Sequence, residues 1–83
     1  MSARAKLLAA IRNNPRNVRF NDACKVARWL GFSASARSGT SHVVFARPGE
    51  ATILNFQRRP NGVIVPYQAR QLIAMMDKYE DPA

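Results

Sequence analysis

The sequence predicts an α+β fold, a three-stranded antiparallel sheet with helices packed on one face, in the order α-α-β-β-β-α. Three observations carry that expectation. Apolar residues recur at helical spacing over residues 3–30, the period changes to two over 32–57, and helical spacing returns after Pro66. At 83 residues the chain is one domain, near the lower limit for folding on a single apolar core. Its hydrophobic share of 47% allows such a core. A core that small leaves no room for a deep enclosed pocket, so an enzyme built around a large cofactor is not expected, and no cofactor is assigned.

Residues 3–13 read as the first helix, with Leu7, Leu8 and Ile11 on one face and Arg4, Lys6 and Arg12 around the rest. Asn13-Asn14-Pro15 ends it, because proline cannot continue the hydrogen-bond ladder. Residues 16–20 make a connection anchored by Val18 and Phe20. Asn21 reads as the N-cap of a second helix over 22–30, since its short amide can accept from an unpaired N–H of the first turn. Ala23, Val26, Ala27 and Leu30 form the buried stripe of that helix, and Lys25 and Arg28 face away from it. Gly31 stops it at the C′ position, where a left-handed backbone is favoured. Cys24 and Trp29 flank the stripe and read as core packing. A nucleophilic Cys24 would need a nearby base and a lowered pKa, and nothing local supplies either.

The runs 32–37, 42–46 and 51–57 alternate roughly in twos and are rich in β-branched and aromatic residues. Turn residues separate them: Ser38-Gly39-Thr40, then Arg47-Pro48-Gly49-Glu50. An antiparallel meander follows. Period-two alternation sends Phe45, Leu54 and Phe56 to the core and places His42, Val44, Ile53 and Asn55 on the face without helices. Residues 58–63 form a basic loop, and Pro66 suits the first position of a final helix. Ala69, Leu72, Ile73, Met76 and Tyr79 share one face of that helix; Met75 and Met76 read as core fillers, and the tail over 80–83 as frayed.

Charge narrows the function. Thirteen Lys and Arg oppose five Asp and Glu, a net charge of +8, and ten of the thirteen are Arg. Residues 1–76 hold only Asp22 and Glu50 against twelve basic residues. Arginine forks onto phosphate oxygens with two parallel hydrogen bonds, so this excess reads as a footprint for a polyanion, RNA above all. The bland alternative is a basic surface that only keeps the protein in solution. One Cys excludes an internal disulfide, and one Cys with one His cannot furnish a structural zinc site. No apolar run has the length of a membrane span, and the N-terminal apolar stretch is too short and broken for a signal peptide. A mitochondrial presequence is disfavoured because the helical pattern runs straight into a folded domain. A soluble, cytoplasmic protein without a membrane partner is expected.

His42 is the only histidine, and a lone histidine is more often an ordinary surface residue than a catalyst. Its setting argues for more. Arg37 lies before the turn and Arg47 after the strand, and positive neighbours favour a neutral imidazole near pH 7. A base beside phosphate-holding arginines is what RNA transesterification needs: the base takes the ribose 2′-OH proton, and the cations stabilise the phosphate. Arg58 and Arg59 are the next phosphate candidates, and Ser41 is a further RNA contact. Ser41 as a nucleophile is disfavoured, since adjacent strand side chains point apart. No carboxylate cluster is present to hold a catalytic metal, so none is assigned.

At these residues the chain resembles a family. NNPRNVRF, a helix ending in Gly31-Phe32, then GTSHVVF, RPG and finally PYQARQL, in that order, resemble the HicA toxins of bacterial toxin–antitoxin pairs over roughly residues 6–79. Where many members carry Gly-Ser-His-His, this chain has Gly39-Thr40-Ser41-His42-Val43. The resemblance implies a fold like the double-stranded-RNA-binding domain, an mRNA endoribonuclease activity with His42 as the catalytic histidine, and a HicB-like antitoxin as partner. Val44 and Ile53, apolar on the outer face, are the expected partner contacts. Two rival readings stand beside this one. The first is a module that binds RNA without cutting it. The second is a DNA-binding regulator using helix 22–30, disfavoured because the connection over 14–20 exceeds the 3–4-residue turn of a helix-turn-helix.

Overall fold

The computed structural model describes residues 2–35 and 42–80. The order is α1 (Ala3–Asn13), a single 3₁₀ turn (Pro15–Asn17), α2 (Phe20–Trp29), β1 (Ser33–Ala34), β2 (His42–Ala46), β3 (Leu54–Gln57) and α3 (Pro66–Tyr79). The three strands form one antiparallel sheet in the order β1-β2-β3. This is the α+β arrangement that the periodicity predicts, and it is compatible with a double-stranded-RNA-binding-domain-like architecture. Among the described residues, no helix is long and apolar enough to cross a membrane.

The helices cover one face of the sheet. In β2 and β3 the register pairs Val43 with Phe56 and Phe45 with Leu54; Phe45, Leu54 and Phe56 are fully buried. Phe45 and Phe56 meet in a tilted contact, 5.7 Å between ring centroids. Ala23, Val26, Leu30, Leu72 and Met76 fill the helical side, as the stripes predict, and Cys24, Met75 and the half-buried Trp29 pack there too. Truncation of an aromatic in such a core costs about 3–5 kcal/mol. That is a large share of the roughly 5–15 kcal/mol that holds a domain folded.

Three boundaries differ from expectation, each for a tertiary reason. Asn21 is not the N-cap of α2. The helix begins at Phe20 behind Arg19, whose side chain makes no cap bond. The backbone on either side of Arg19 pairs with the 62–64 segment instead: Phe20 N–H donates to the Gly62 carbonyl at 2.9 Å, and Ile64 N–H to the Val18 carbonyl at 2.9 Å. A distant strand-like segment therefore satisfies the first N–H of the helix and holds Arg19 extended at its start. It also buries Ile64 completely. The β-branched triplet Val63-Ile64-Val65, where the basic loop over 58–63 meets the final helix, was the available sign of this.

β3 begins at Leu54, three residues later than its alternating run, because the Thr52 N–H donates to the Glu50 carboxylate at 2.9 Å instead of to a neighbouring strand. β1 is only Ser33–Ala34, although the Ser35 N–H still reaches the Val44 carbonyl at 2.8 Å. The expected turn 38–40 and the end of the first run lie outside the described residues, as do 81–83. Gly31 does end α2. Its φ is +90°, and the N–H groups of Gly31 and Phe32 close back on the Arg28 and Ala27 carbonyls at 3.0 Å each. This is a Schellman motif, and buried Phe32 supplies its apolar contact.

Candidate nucleic-acid interface

His42 opens β2 and is exposed on the face without helices, where alternation puts it. It pairs across the sheet with Gln57, and Val44 pairs with Asn55. The diagonal neighbour makes the notable contact: His42 Nδ1 lies 3.3 Å from Asn55 Oδ1. A carboxamide oxygen can only accept, so this bond selects the imidazole tautomer protonated at Nδ1 and puts the basic lone pair on Nε2. Asn55 is thus a positioning residue for His42. The sequence placed it nearby, but nothing in the sequence marked its side chain as the orienting one. Val44 and Ile53 share the face, Val44 half-buried and Ile53 54% exposed.

The arginines nominated from sequence do not gather around the imidazole. Arg47 follows the far end of β2; at about 3.4 Å per residue it lies roughly 17 Å from His42 along the strand. Its guanidinium donates to the Leu30 carbonyl and stacks 3.7 Å from the centre of the Tyr79 ring. A Cβ added to Gly31 would come within 2.8 Å of that guanidinium, so the glycine serves a close approach as well as a positive φ. Arg59 donates from Nε to the Val63 carbonyl at 2.9 Å and from a terminal nitrogen to that of Ile64 at 3.4 Å, pinning its loop. Arg58 and Arg59 both follow Gln57 at the His42 end. Arg58 lies 4.7 Å from the centre of the Phe20 ring and donates to Asn21 Oδ1 at 3.3 Å. Arg37 and Ser41 lie outside the described residues.

Behind this end of the sheet, an open groove of about 510 Å³ runs between α2 and the strands. Phe20, Cys24, Trp29 and Val43 supply its apolar surface, and Lys25, Arg28 and Arg58 its charge. Arg28 holds its guanidinium 5.4 Å from the centre of the Phe45 ring. Burial pushes the Cys24 thiol up, and the positive charges of Arg28 and Arg58 pull against that shift. Lys25 and Arg28 were legible as the charged face of α2, three residues apart. That this face would border a concavity was not.

The opposite end of the sheet is charge-paired. Glu50, its side chain 4% exposed, accepts from Lys78 Nζ at 2.7 Å, from the Tyr79 hydroxyl and from the Thr52 N–H. The Lys78 bond first, then those of Tyr79 and Thr52, hold the Glu50 carboxyl down at about 2. Arg12 binds Asp77 and Glu80, which ties α1 to the C-terminal end of α3. Among the described residues, no group of three or more His, Cys, Asp and Glu side chains is placed to hold a metal ion. No protein-family model matches the chain, and no curated protein or solved structure matches it either.

Proposed function

We propose that the chain is an RNA endonuclease of the HicA kind, the toxin of a toxin–antitoxin pair, with His42 as general base. The observation that carries this reading is the His42–Asn55 pair, an exposed imidazole oriented on an open sheet face at the basic end of the domain. In the reaction, Nε2 takes the proton of a ribose 2′-OH. The 2′-oxygen attacks the adjacent phosphorus, and the bond from phosphorus to the 5′-oxygen breaks. The products are a 2′,3′-cyclic phosphate and a 5′-hydroxyl end, the latter taking up one proton. With one histidine in the chain there is no second imidazole to deliver that proton, so slow turnover is expected. The HicA resemblance supplies mRNA as the substrate and a HicB-like antitoxin as the partner. Exposed Ile53 and half-buried Val44 offer that partner an apolar contact on the face that carries the base.

The test is His42→Ala. The variant should fold and bind RNA as before, and cutting should fall by about 10²–10⁴. Wild-type cutting should survive a chelator, leave cyclic phosphate ends and spare a 2′-deoxy substrate. Undiminished cutting by the variant, or cutting that stops in chelator, refutes the mechanism. A non-catalytic RNA-binding module is the second reading, favoured by one observation: Arg47, expected beside the base, is bonded elsewhere. Wild-type protein that binds RNA and never cuts it would establish that reading.

A further inference from the structure

We infer that the groove between α2 and the His42 end of the sheet is a binding site for single-stranded RNA, held by Lys25, Arg28 and Arg58. The inference rests on the RNA reading above and extends it to the side of the sheet opposite His42. Its first support is how the arginines are held. Arg28 lies over Phe45 and Arg58 over Phe20. A cation held over a ring is positioned in advance without a carboxylate partner, so N–H groups remain for phosphate oxygens. Arg47, which also lies over a ring, and Arg59 direct N–H groups at backbone carbonyls, whereas Arg58 gives one N–H to the exposed Asn21 side chain at 3.3 Å and Arg28 gives none to another described residue.

The second support is the placement of the acids. Among the described residues, Asp77 and Glu80 are bound to Arg12 and Glu50 to Lys78; Asp22, in the first turn of α2 next to groove-lining Asn21, makes no ion pair, and neither do Lys25, Arg28 and Arg58. An anion that binds these three cations therefore breaks no ion pair among the described residues, with three positive charges set against the single negative charge of Asp22. Third is shape. A volume of about 510 Å³ falls within the roughly 300–1,000 Å³ of clefts that take small ligands. Apolar and aromatic walls for a base, rimmed by cations for the backbone, are how proteins hold single strands without reading sequence. A duplex carries its phosphates on a rigid outer rail with the bases stacked inside, and cannot enter such a cleft. Fourth is continuity. Val43 lines the groove and His42 is the next residue, on the other face; Arg58 follows Gln57, the cross-strand partner of His42. A strand leaving the groove past Arg58 rounds the end of the sheet and arrives at the imidazole.

The experiment compares two double variants on a His42→Ala parent, which prevents cutting. Lys25→Ala/Arg28→Ala removes two charges from the groove. Arg16→Ala/Arg70→Ala removes two exposed charges elsewhere. Fluorescence anisotropy with a labelled short single-stranded RNA is read across a salt series, and thermal melts check folding. The groove variant should lose about tenfold or more in affinity. The slope of log affinity against log salt should shrink by about 0.7 for each phosphate that the variant no longer neutralises. The control should stay near the parent, and Arg58→Gln should give an independent loss. Equal losses in both double variants, unchanged affinity in the groove variant, or a duplex that binds with the same dependence on Lys25 and Arg28 would each overturn the inference. If wild-type protein binds but never cuts while the groove variant loses binding, the nuclease reading fails and the groove stands. If wild-type protein cuts and the groove variant binds like its parent, the groove fails alone.

Discussion

The two ends of the sheet use the same kinds of residue for opposite purposes. At the Arg47 end, Arg47, Lys78, Tyr79 and Glu50 close on one another: the cations meet a carboxylate, a ring and a carbonyl, and their charge is used in holding α2, α3 and the β2–β3 turn together. At the His42 end, Arg58, Arg28 and Lys25 border open space, and no carboxylate among the described residues pairs with them. An arginine count cannot tell these cases apart. What separates them is how firmly the N–H groups are already held, and by what. Arg47 must break its bond to the Leu30 carbonyl to reach a phosphate, although it too lies over a ring; Arg58 has only one N–H engaged, by the exposed Asn21 amide, and Arg28 has none engaged by another described residue.

The largest expected contrast is between substitutions at the two ends. His42→Ala should remove about 10²–10⁴ of cutting with little change in melting temperature. Arg47→Ala should do the reverse. Loss of a charged hydrogen bond in a half-buried site costs about 1.5–3 kcal/mol of stability. Each kcal/mol lowers the midpoint of a domain this size by about 4–8 °C. If Arg47→Ala instead melts like wild type and weakens RNA binding, the division between the two ends is wrong.

Acid should act on the Glu50 end next. The Glu50 carboxyl is held down at about 2, below its ordinary 4.5. A group with a lowered folded-state pKa contributes stability above the unfolded value and loses it as pH falls through the folded one. Stability from Glu50 should therefore be complete above about 4.5 and drain away toward about 2, a decline that Glu50→Gln flattens in melts across that range. Lys78→Glu places a carboxylate against Glu50, so it should lower stability more than an exposed charge change does. For that reason Lys78 is a poor neutral control in RNA-binding tests, although the sequence sets it among the acids of the C-terminus.

Smallest in stability is the outer face. Ile53→Ser should change folding free energy by no more than about 0.5 kcal/mol, because the side chain is exposed. Its effect should appear in co-purification with a co-expressed HicB-like partner, which it should weaken. A complex that tolerates Ile53→Ser and Val44→Ser together would remove the outer face as the partner's seat.

Much of this was legible before any coordinates. Helix stripes placed Val26, Leu30, Leu72 and Met76 in the core, and strand alternation put Phe45, Leu54 and Phe56 inward with His42 outward. Those patterns are local consequences of backbone period, which the chain carries residue by residue. The start of α2 was misplaced for the complementary reason. Asn21 has the chemistry of a cap, but pairing of the Arg19 backbone with the 62–64 segment sets the helix start one residue earlier, and the Ala23 N–H is already bonded to the Arg19 carbonyl at 2.9 Å.

The charge of the surface, the solitary histidine and the α-α-β-β-β-α order were set by the sequence by itself, because composition and periodicity need no folding to be read. Which cations are engaged was decided by the tertiary structure alone. Arg47 and Arg58 each flank a strand and look equivalent as letters. One meets the Leu30 carbonyl and the Tyr79 ring; the other meets Phe20 at the edge of a groove. The difference arises from where α2 and α3 lie against the sheet, because a guanidinium's reach to phosphate depends on the acceptors that packing brings to it.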